Sequence, residues 1–425
     1  MKNRISEVTF GVIGRIVDLF VPVRRKEWVF GAACGNAYRE GSKYLFEHML
    51  ERHPEYRVTF VTRSKTVYDE LRAKHLPCAY NFSLSGVMTI ARAECVFTTN
   101  IAADIFFAHK KKGRRFFYLV HGQPYKVAQL ALAKTGFHKR LVGEKRVSKF
   151  SQLVRKVKEL LHTWIVCDHG NGYSEFVSAT SEFLQKWMDK DFDGKTPVKI
   201  LGMPRNDALF QPERMRGEKW IDGTEGKFVI SYMPTHRLYG RGKFSPAPFA
   251  SRPDVQQWMR DNNVVFVVKN HPTMLLYQGY TPIETECIKD VTDRGIDPMT
   301  VVFRSDVLIT DYSSVWMDYL LMRRPIIFYI YDDFEHDDAG VYYDVRKEGV
   351  GRFCYSEDEL FECIKEIRAN YNSMCPQESV VHKFHKYVDG RSCERYFNEI
   401  VSLLEAPPDR EGRCVGEVAK CRGEQ

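Results

Sequence analysis

Residues 309–333 read ITDYSSVWMDYLLMRRPIIFYIYDD. The segment continues a short apolar run, 307–309, that is typical of a buried strand, and it then passes through Thr-Asp-Tyr-Ser-Ser. An apolar, helix-like stretch at 315–322 follows, and after Arg-Arg-Pro comes a second strand-like run, 325–329. A strand, a helix and a strand in this order predict a parallel sheet, with the polar residues at the carboxyl end of the first strand.

The same alternation of apolar runs and helix-like stretches covers most of the chain. Helix-like stretches such as 43–52 and 67–74 separate the apolar runs, and a last helix is expected at about 392–404. The predicted strands are 28–33, 57–62, 95–99, 116–120, 164–167, 198–201, 228–232, 264–268, 307–310 and 325–329. Short apolar strands that alternate with helices predict an α/β fold with parallel sheets.

The polar, glycine-containing stretch 211–227 divides this pattern into two halves. We therefore predict an N-terminal domain at 1–210, a C-terminal domain at 227–405, and a disordered polar tail at 406–425. Two parallel-sheet domains indicate a bilobed enzyme with its active site in the cleft, because ligands of open α/β sheets bind beyond the carboxyl ends of the strands.

Composition places the chain among globular proteins that favour anionic partners. Its 425 residues are 44% hydrophobic and 28% charged, with a net charge of +8 and a pI of about 8.8. Eleven cysteines without paired spacing indicate a reducing compartment and argue against a zinc site. No apolar run reaches the roughly 18 residues of a membrane-spanning helix. We expect a cytoplasmic protein without a cofactor.

Two segments have both a membrane interpretation and a simpler one. Val8, Val12, Ile16 and Leu19 recur at helical spacing before the basic residues 24–26. They predict either a membrane-surface helix or a helix packed on its own domain. The basic amphipathic stretch 138–158 is either a solvated helix face or a contact with anionic lipid. It lacks the interleaved aromatic residues of single-strand nucleic-acid binders, so no nucleic-acid partner is predicted.

Unusual polar motifs follow five of the predicted strands. They are HGQPYK at 121–126, GMPRND at 202–207, MPTHR at 233–237, KNHP at 269–272 and TDYSS at 310–314. A single histidine in such a loop is more often a backbone partner than a catalyst. His121 and His271, however, occupy matching positions in the two halves, beside Lys126 and Lys269. Histidine changes charge near neutral pH, so either residue is a candidate to take a proton from a hydroxyl.

The TDYSS motif predicts a phosphate site. Ser313 and Ser314 fall where a helix begins, and serine there is a favoured N-cap. Free N–H groups at a helix start also bind phosphate, and the hydroxyls of this motif add further donors. Arg237 or Lys269 would balance the charge of a diphosphate. No GxGxxG or GxxxxGK[ST] loop occurs, which excludes the usual dinucleotide and P-loop classes.

Two further groups keep two interpretations each. Arg205 and Asp207 form either a turn with a helix cap or a ligand contact near the domain junction. The acidic cluster after residue 331 is either a metal site or a solvated loop, and we expect the loop. That cluster consists of Asp332, Asp333, His336, Asp337 and Asp338.

Taken in order, these motifs resemble the CDP-glycerol glycerophosphotransferase family, which contains teichoic-acid primases and polymerases and related capsule enzymes. The resemblance rests on HGQPYK, GMPRND, PTHR, KNHP and SDVLITDYSSVWMDYLLMRRPIIFY, and runs from about residue 28 to DGRSCER at 389–395. It implies a GT-B-like architecture of two Rossmann-type domains around a central cleft. It also implies transfer of a polyol phosphate from CDP-glycerol or CDP-ribitol to a lipid-linked or polymeric acceptor, with release of CMP.

The resemblance also implies roles for particular residues. His121 and His271 would be catalytic. From the motifs we predict no metal site, and the predicted substrate-binding residues are Gly122, Lys126, Arg205, Asp207, Thr235, Arg237, Lys269, Thr310, Asp311, Ser313 and Ser314. We expect an in-line attack on the β-phosphorus, with His121 as the base. Family members act on the cytoplasmic face of the membrane, so an anionic membrane surface is an expected partner.

Departures from the family pattern keep the polyol and the acceptor open. Gln123 and Tyr125 flank Pro124, and His236 occupies a position that is commonly aromatic. The alternative enzyme is a GT-B glycosyltransferase that uses a nucleotide sugar. The non-catalytic alternative is a membrane adaptor or nucleic-acid binder that uses the basic face.

Overall fold

The structure, a computed structural model, describes residues 2–100, 104–127, 164, 174–235, 247–271, 280–332 and 340–406. Several sequence predictions fall outside these ranges. They are the basic stretch 138–158, residues 165–167 of one predicted strand, His236 and Arg237, most of the acidic cluster, and the tail from 407 onward. Trp164, the first residue of that predicted strand, is helical.

The N-terminal half contains a five-stranded parallel sheet in the order β3-β2-β1-β4-β5, counted within the described residues. Its strands are β1 Arg24–Phe30, β2 Arg57–Thr62, β3 Cys78–Tyr80, β4 Ala93–Thr98 and β5 Arg115–Tyr118. Its helices are α1 Lys2–Phe20, α2 Glu40–Arg52, α3 Lys65–Ala73 and α4 Leu84–Arg92. The predicted strands at 28–33, 57–62, 95–99 and 116–120 are thus present, with ends shifted by up to four residues.

A small unit connects the two halves. It has the parallel pair β6 Val177–Ala179 and β7 Val198–Ile200, with α5 Glu182–Asp191 between them. A 3₁₀ helix, Pro204–Phe210, and α6 Pro212–Gly217 follow. The stretch predicted as a polar connection therefore begins with a short helix.

The C-terminal half contains a six-stranded parallel sheet in the order β10-β9-β8-β11-β12-β13, again among the described residues. Its strands are β8 Phe228–Tyr232, β9 Val264–Val268, β10 Ile288–Asp290, β11 Val307–Thr310, β12 Ile326–Tyr329 and β13 Arg352–Cys354. Its helices are α7 Pro253–Asp261, α8 Pro298–Arg304, α9 Val315–Leu320, α10 Glu357–Ala369, α11 Glu378–Phe384 and α12 Ser392–Glu405. The segment 309–333 thus forms the strand, helix and strand expected of it.

The last helix, α12, returns to the N-terminal sheet. The ring of Phe397 stacks on that of His53 with centroids 3.5 Å apart, and it lies 6.1 Å from the ring of Trp28 in β1. The sequence placed α12 in the C-terminal domain, 227–405, because it lies at that end of the chain. In the structure, this helix packs on the N-terminal half. The chain therefore crosses between the halves twice, and the crossings hold the two sheets on either side of one cleft.

Helix α1 packs on the N-terminal domain through a polar residue. Asp18 Oδ2 lies 2.9 Å from His109 Nδ1, and its Oδ1 lies 3.2 Å from an Arg114 guanidinium nitrogen. Burial raises the pKa of Asp18, but the hydrogen bond from His109 and the charge of Arg114 outweigh it and keep this pKa below its usual value. The packed-helix prediction is confirmed for this face.

The apolar row of α1 faces outward. Val8, Val12 and Ile16 are 42–53% exposed, and Leu19 and Phe20 are 80% exposed. Among the described helices, none combines the length and the apolar character that crossing a membrane requires.

Candidate active site

A cavity of about 250 Å³ lies where the carboxyl ends of the two sheets face each other. Histidine, lysine and serine side chains from both halves line it, as the strand-end motifs predict. The predicted site residues that it brings together are His121, Arg205, Lys269, His271, Ser313 and Ser314. Three motifs of the C-terminal half meet here because β8, β9 and β11 are neighbours in one sheet.

His121, which follows β5, is an exposed side chain with a defined hydrogen bond. Its Nδ1 lies 3.3 Å from the carbonyl oxygen of Thr99 and 3.4 Å from the hydroxyl of Tyr118. A carbonyl oxygen only accepts, so the contact with Thr99 is a hydrogen bond in the tautomer whose proton is on Nδ1. The other ring nitrogen, Nε2, then has the lone pair that a general base needs.

Gly122 allows the His121 loop to approach the TDYSS motif. A Cβ atom at position 122 would lie 2.5 Å from Ser314 Oγ, which is closer than two such atoms can come. The absence of a side chain at this residue therefore lets the loops of the two domains meet. Gly122 and Lys126 also line a second cavity of about 120 Å³, which shares His121 and Ser314 with the first.

Arg205 links the two domains at the cavity. Its Nε and one terminal nitrogen donate to the two carboxylate oxygens of Asp318, at 3.2 and 2.6 Å. Its other terminal nitrogen donates to the backbone carbonyl of His121. The guanidinium thus lines the cavity but makes its hydrogen bonds within the protein, and it fixes the His121 loop relative to helix α9.

Asp207 caps a helix, which is one of the two interpretations that the sequence left open. Its carboxylate accepts hydrogen bonds from the backbone N–H groups of Ser392 (2.8 Å) and Cys393 (2.7 Å), in the first turn of α12. The capped helix lies 185 residues further along the chain. Asp207 lies outside the described walls of both cavities.

Lys269 supplies a cation from the end of β9. The ammonium donates to the carbonyl of Val291 at 3.3 Å and is largely buried. This burial, together with the positive charge of Arg39 across the cavity, lowers the pKa of Lys269 to about 8. A bound diphosphate would offset both causes, so the site gains most from an anionic ligand.

The loop that carries His271 is held by a network of side chains. The side-chain amide of Asn270 donates to the hydroxyl of Tyr280 at 3.1 Å. That hydroxyl donates to Asp290 at 2.6 Å, and the backbone N–H of Asn270 donates to Thr292 at 3.0 Å. The network places His271 at the cavity wall.

Three predicted contact residues support the strand ends instead of lining the described cavity walls. Thr310 is fully buried, and its hydroxyl donates to the carbonyl of Met233 at 2.7 Å. Asp311 accepts a hydrogen bond from the backbone N–H of Thr235 at 2.7 Å. These bonds join the TDYSS and MPTHR motifs. Arg237, in the second of these motifs, lies outside the described residues.

Helix α9 is shorter than the helix predicted at 315–322, and this affects the phosphate site predicted at its start. The helix ends at Leu320 and has six residues, so its dipole is small and contributes little to phosphate binding. Ser314 occupies the N-cap position, but among the described residues its side chain makes no capping hydrogen bond. The Ser313 hydroxyl lies 3.5 Å from the N–H of Val315. The prediction of a phosphate site here therefore depends on the hydroxyls and cations more than on the helix dipole.

Comparison with known proteins assigns the family. The model of the CDP-Glycerol:Poly(glycerophosphate) glycerophosphotransferase family matches residues 15–402. The chain belongs to this family. The family prediction is confirmed, and with it, at the level of the family, the prediction of a glycerophosphotransferase.

Two relatives align with this glycerophosphotransferase over nearly all of its length. The teichoic acid poly(glycerol phosphate) polymerase of Bacillus subtilis (strain 168) is 26% identical over 94% of this chain, which spans only 52% of that polymerase. The teichoic acid glycerol-phosphate transferase of Staphylococcus aureus (strain NCTC 8325 / PS 47) is 24% identical over 93% of this chain and 98% of its own length.

A solved structure establishes the architecture. The wall teichoic acid polymerase TagF superimposes with a TM-score of 0.66 at 19% identity, over 93% of this chain and 94% of the other. The predicted α/β, GT-B-like fold of the glycerophosphotransferase is thereby confirmed.

Five polar residues of the cavity wall were not among the predicted site residues. They are Arg39, Glu40, Asn270, Asp297 and Asp318. Asp318 had a readable signal, because it lies four residues after Ser314 and therefore on the same face of a helix. Arg39 and Glu40 follow a 3₁₀ turn instead of a strand directly, so the rule of polar residues after strands does not find them.

Proposed function

We propose that this protein transfers glycerol phosphate from CDP-glycerol to a hydroxyl group of a growing teichoic-acid-like or capsule polymer, or of its lipid-linked primer, and releases CMP. The observation that carries the proposal is the cavity itself. It combines a histidine with an available Nε2 from one domain and an anion site of Lys269, His271 and Ser314 from the other. The names of the two relatives that align over nearly all of this chain support glycerol as the polyol.

The proposed reaction is one in-line displacement at the β-phosphorus of CDP-glycerol. The acceptor oxygen forms a bond to this phosphorus while its proton passes to Nε2 of His121. The bond from the β-phosphorus to the bridging oxygen breaks, and CMP leaves with that electron pair. Such reactions depend on positioning and on charge stabilisation.

The C-terminal wall would stabilise the charge that moves onto the departing phosphate. Lys269 gives a buried ammonium, His271 gives a ring N–H, and the Ser314 hydroxyl gives a neutral donor. These donors line one cavity, and donors that are already in place stabilise a developing charge with little reorganisation.

The direct experiment measures CMP release from CDP-glycerol and from CDP-ribitol, with and without a lipid-linked polymer primer. We expect acceptor-dependent release from CDP-glycerol. Release from CDP-ribitol but not from CDP-glycerol would assign ribitol, instead of glycerol, as the transferred polyol. Failure with both donors, together with transfer from a nucleotide sugar, would overturn the proposal in favour of a glycosyltransferase.

We further propose that α1 holds the enzyme against the cytoplasmic face of the membrane, where a lipid-linked acceptor is available. The apolar row of α1 is exposed although its other face is packed on the domain. Exposed Arg24, Arg25 and Lys26 follow the helix directly. An apolar helix face beside basic residues is complementary to an anionic lipid surface.

Vesicle sedimentation tests this part of the proposal. The protein is expected to bind vesicles containing phosphatidylglycerol more strongly than vesicles of phosphatidylcholine alone. The Ile16→Asp change should release it from both, whereas Tyr355→Asp, at an exposed aromatic residue of the C-terminal domain (52% exposed), should not. Equal binding of both variants to the anionic vesicles would contradict the role of α1.

A further inference from the structure

The carboxylates of the main cavity are not equivalent. Among the described residues, three carboxylates line it, those of Glu40, Asp297 and Asp318. Asp318 accepts two hydrogen bonds from Arg205. One oxygen of Asp297 caps helix α8, and the other accepts a hydrogen bond from Lys43 at 3.2 Å. Two of these three carboxylates are therefore already satisfied by the protein.

Glu40 is the carboxylate that is not satisfied. Its Oε2 is buried and has no hydrogen-bond partner in the described structure, and its Oε1 lies 3.7 Å from Arg39 Nε, which is too far for a hydrogen bond. The Nε of Arg39 is likewise buried and makes no hydrogen bond within the described structure, although it forms an ion pair with Glu40. Burying polar atoms without partners is costly, so a carboxylate and a guanidinium in this condition beside a cavity indicate a ligand that completes them.

The backbone of Glu40 supports the same conclusion. Its φ angle is +64°, in the left-handed region that residues with a side chain rarely adopt. This conformation stands at the first residue of helix α2 and costs free energy. Strained residues of this kind cluster at ligand sites.

The chemistry of the cavity decides which part of a ligand Glu40 would meet. The cations and hydroxyls on the C-terminal wall suit phosphate oxygens, which only accept hydrogen bonds. A carboxylate also only accepts, so it repels phosphate and requires a donor such as a hydroxyl. Glu40 lines the cavity from the N-terminal domain, whereas Lys269, His271 and Ser314 line it from the C-terminal domain.

We propose that Glu40 recognises the polyol of the donor by accepting hydrogen bonds from its hydroxyls, while Arg39 donates to the phosphate that carries the polyol. The inference rests on the proposed function, since it requires a CDP-polyol donor. It makes Glu40 a specificity residue on the N-terminal domain, at a position that none of the strand-end motifs contains.

Calorimetric titration of the full chain with CDP-glycerol and with CDP, without acceptor, tests the proposal. The wild type is expected to bind CDP-glycerol more tightly than CDP. Glu40→Gln should weaken CDP-glycerol binding by about 10-fold, the usual effect of losing one charged hydrogen bond, and should leave CDP binding undiminished. Glu51→Gln, at an exposed position on the same helix, should keep the wild-type preference. Glu40→Gly is a second variant, because glycine adopts the same φ without strain.

The outcomes separate the inference from the proposed function. A wild-type preference for CDP-glycerol that persists in both Glu40 variants overturns the assignment. So does a loss of equal size for CDP and CDP-glycerol, because Glu40 would then only support the cavity. A wild type that does not distinguish the two ligands overturns it as well. Absence of CMP release from CDP-glycerol in the wild-type transfer assay overturns the proposed function itself, whatever the Glu40 variants do.

Discussion

The two walls of the cavity are built differently. On the C-terminal wall, Asn270 holds the His271 loop through the hydrogen-bond network of Tyr280, and Asp311 joins two strand ends. On the N-terminal wall, the His121 ring is exposed and held only by long contacts of 3.3 and 3.4 Å, and Glu40 is strained and has an oxygen without a hydrogen bond within the described structure.

This difference indicates a division of roles. A wall whose polar groups are already held in place can bind the nucleotide diphosphate with little reorganisation. A wall with unsatisfied groups is completed only when the reacting parts are present. We therefore infer that the C-terminal wall holds the nucleotide diphosphate, and that the N-terminal wall provides the base and reads the polyol. Variants of His121, Arg205 and Lys269 test that division.

The largest effect is expected for His121→Ala. Removing a positioned base should lower kcat by about 10²–10⁴-fold, while CDP-glycerol binding remains, because the diphosphate is held by the other wall. Rapid-quench kinetics and calorimetry measure the two quantities separately. His382→Ala, at an exposed histidine that pairs with Glu378, is the matched control. A variant that loses donor binding instead would contradict the division.

The next effect is expected at the link between the walls. Arg205→Met should lower kcat by about 10²-fold, because the carbonyl of His121 loses its donor and the base is displaced. It should also destabilise the fold, since the carboxylate of Asp318 is left buried and unpaired. Adding Asp318→Asn should restore much of the stability but little of the kcat. If kcat recovers together with stability, Arg205 only supports the fold and does not position His121.

A third prediction concerns pH and the C-terminal wall. Burial and the charge of Arg39 lower the pKa of Lys269 to about 8, so the ammonium is lost at a lower pH than in an ordinary lysine. Because phosphate binds the protonated form, kcat/KM for the donor should fall as pH rises above about 8. Arg39→Gln removes one cause of the shift and should move this fall to higher pH. Lys269→Arg, which stays protonated, should abolish it, and an unchanged profile in both variants would exclude Lys269 as the titrating group.

The sequence predicted the C-terminal wall better than the N-terminal wall. The strands 228–232, 264–268 and 307–310 have their predicted bounds, because each is a short, largely buried run rich in apolar residues. The strands β3, β6, β10 and β13 were missed. Each has only three residues, too few for an apolar pattern to be read.

Within the site, the sequence identified motifs but not the function of each member. Thr310 and Ser314 are both hydroxyl residues of TDYSS, yet Thr310 is bonded to a buried carbonyl and Ser314 lines the cavity. The two residues differ in burial, and the burial of Thr310 depends on which strand lies beside β11. Glu40 could not be found from the sequence, because its importance arises from an unsatisfied oxygen and a backbone angle.

The smallest effect is expected for Asp207→Ala, and it separates a structural role from a binding role. Asp207 accepts hydrogen bonds from two N–H groups in the first turn of α12, which otherwise have no partner in the helix. Losing them should lower the free energy of unfolding by about 1–2 kcal/mol, measured by urea denaturation. Asp222→Ala, at an exposed position, should cost far less. Donor affinity tests the other interpretation. If Asp207→Ala weakens CDP-glycerol binding without lowering stability, Asp207 contacts the ligand, and the binding site extends beyond the residues that line the two cavities.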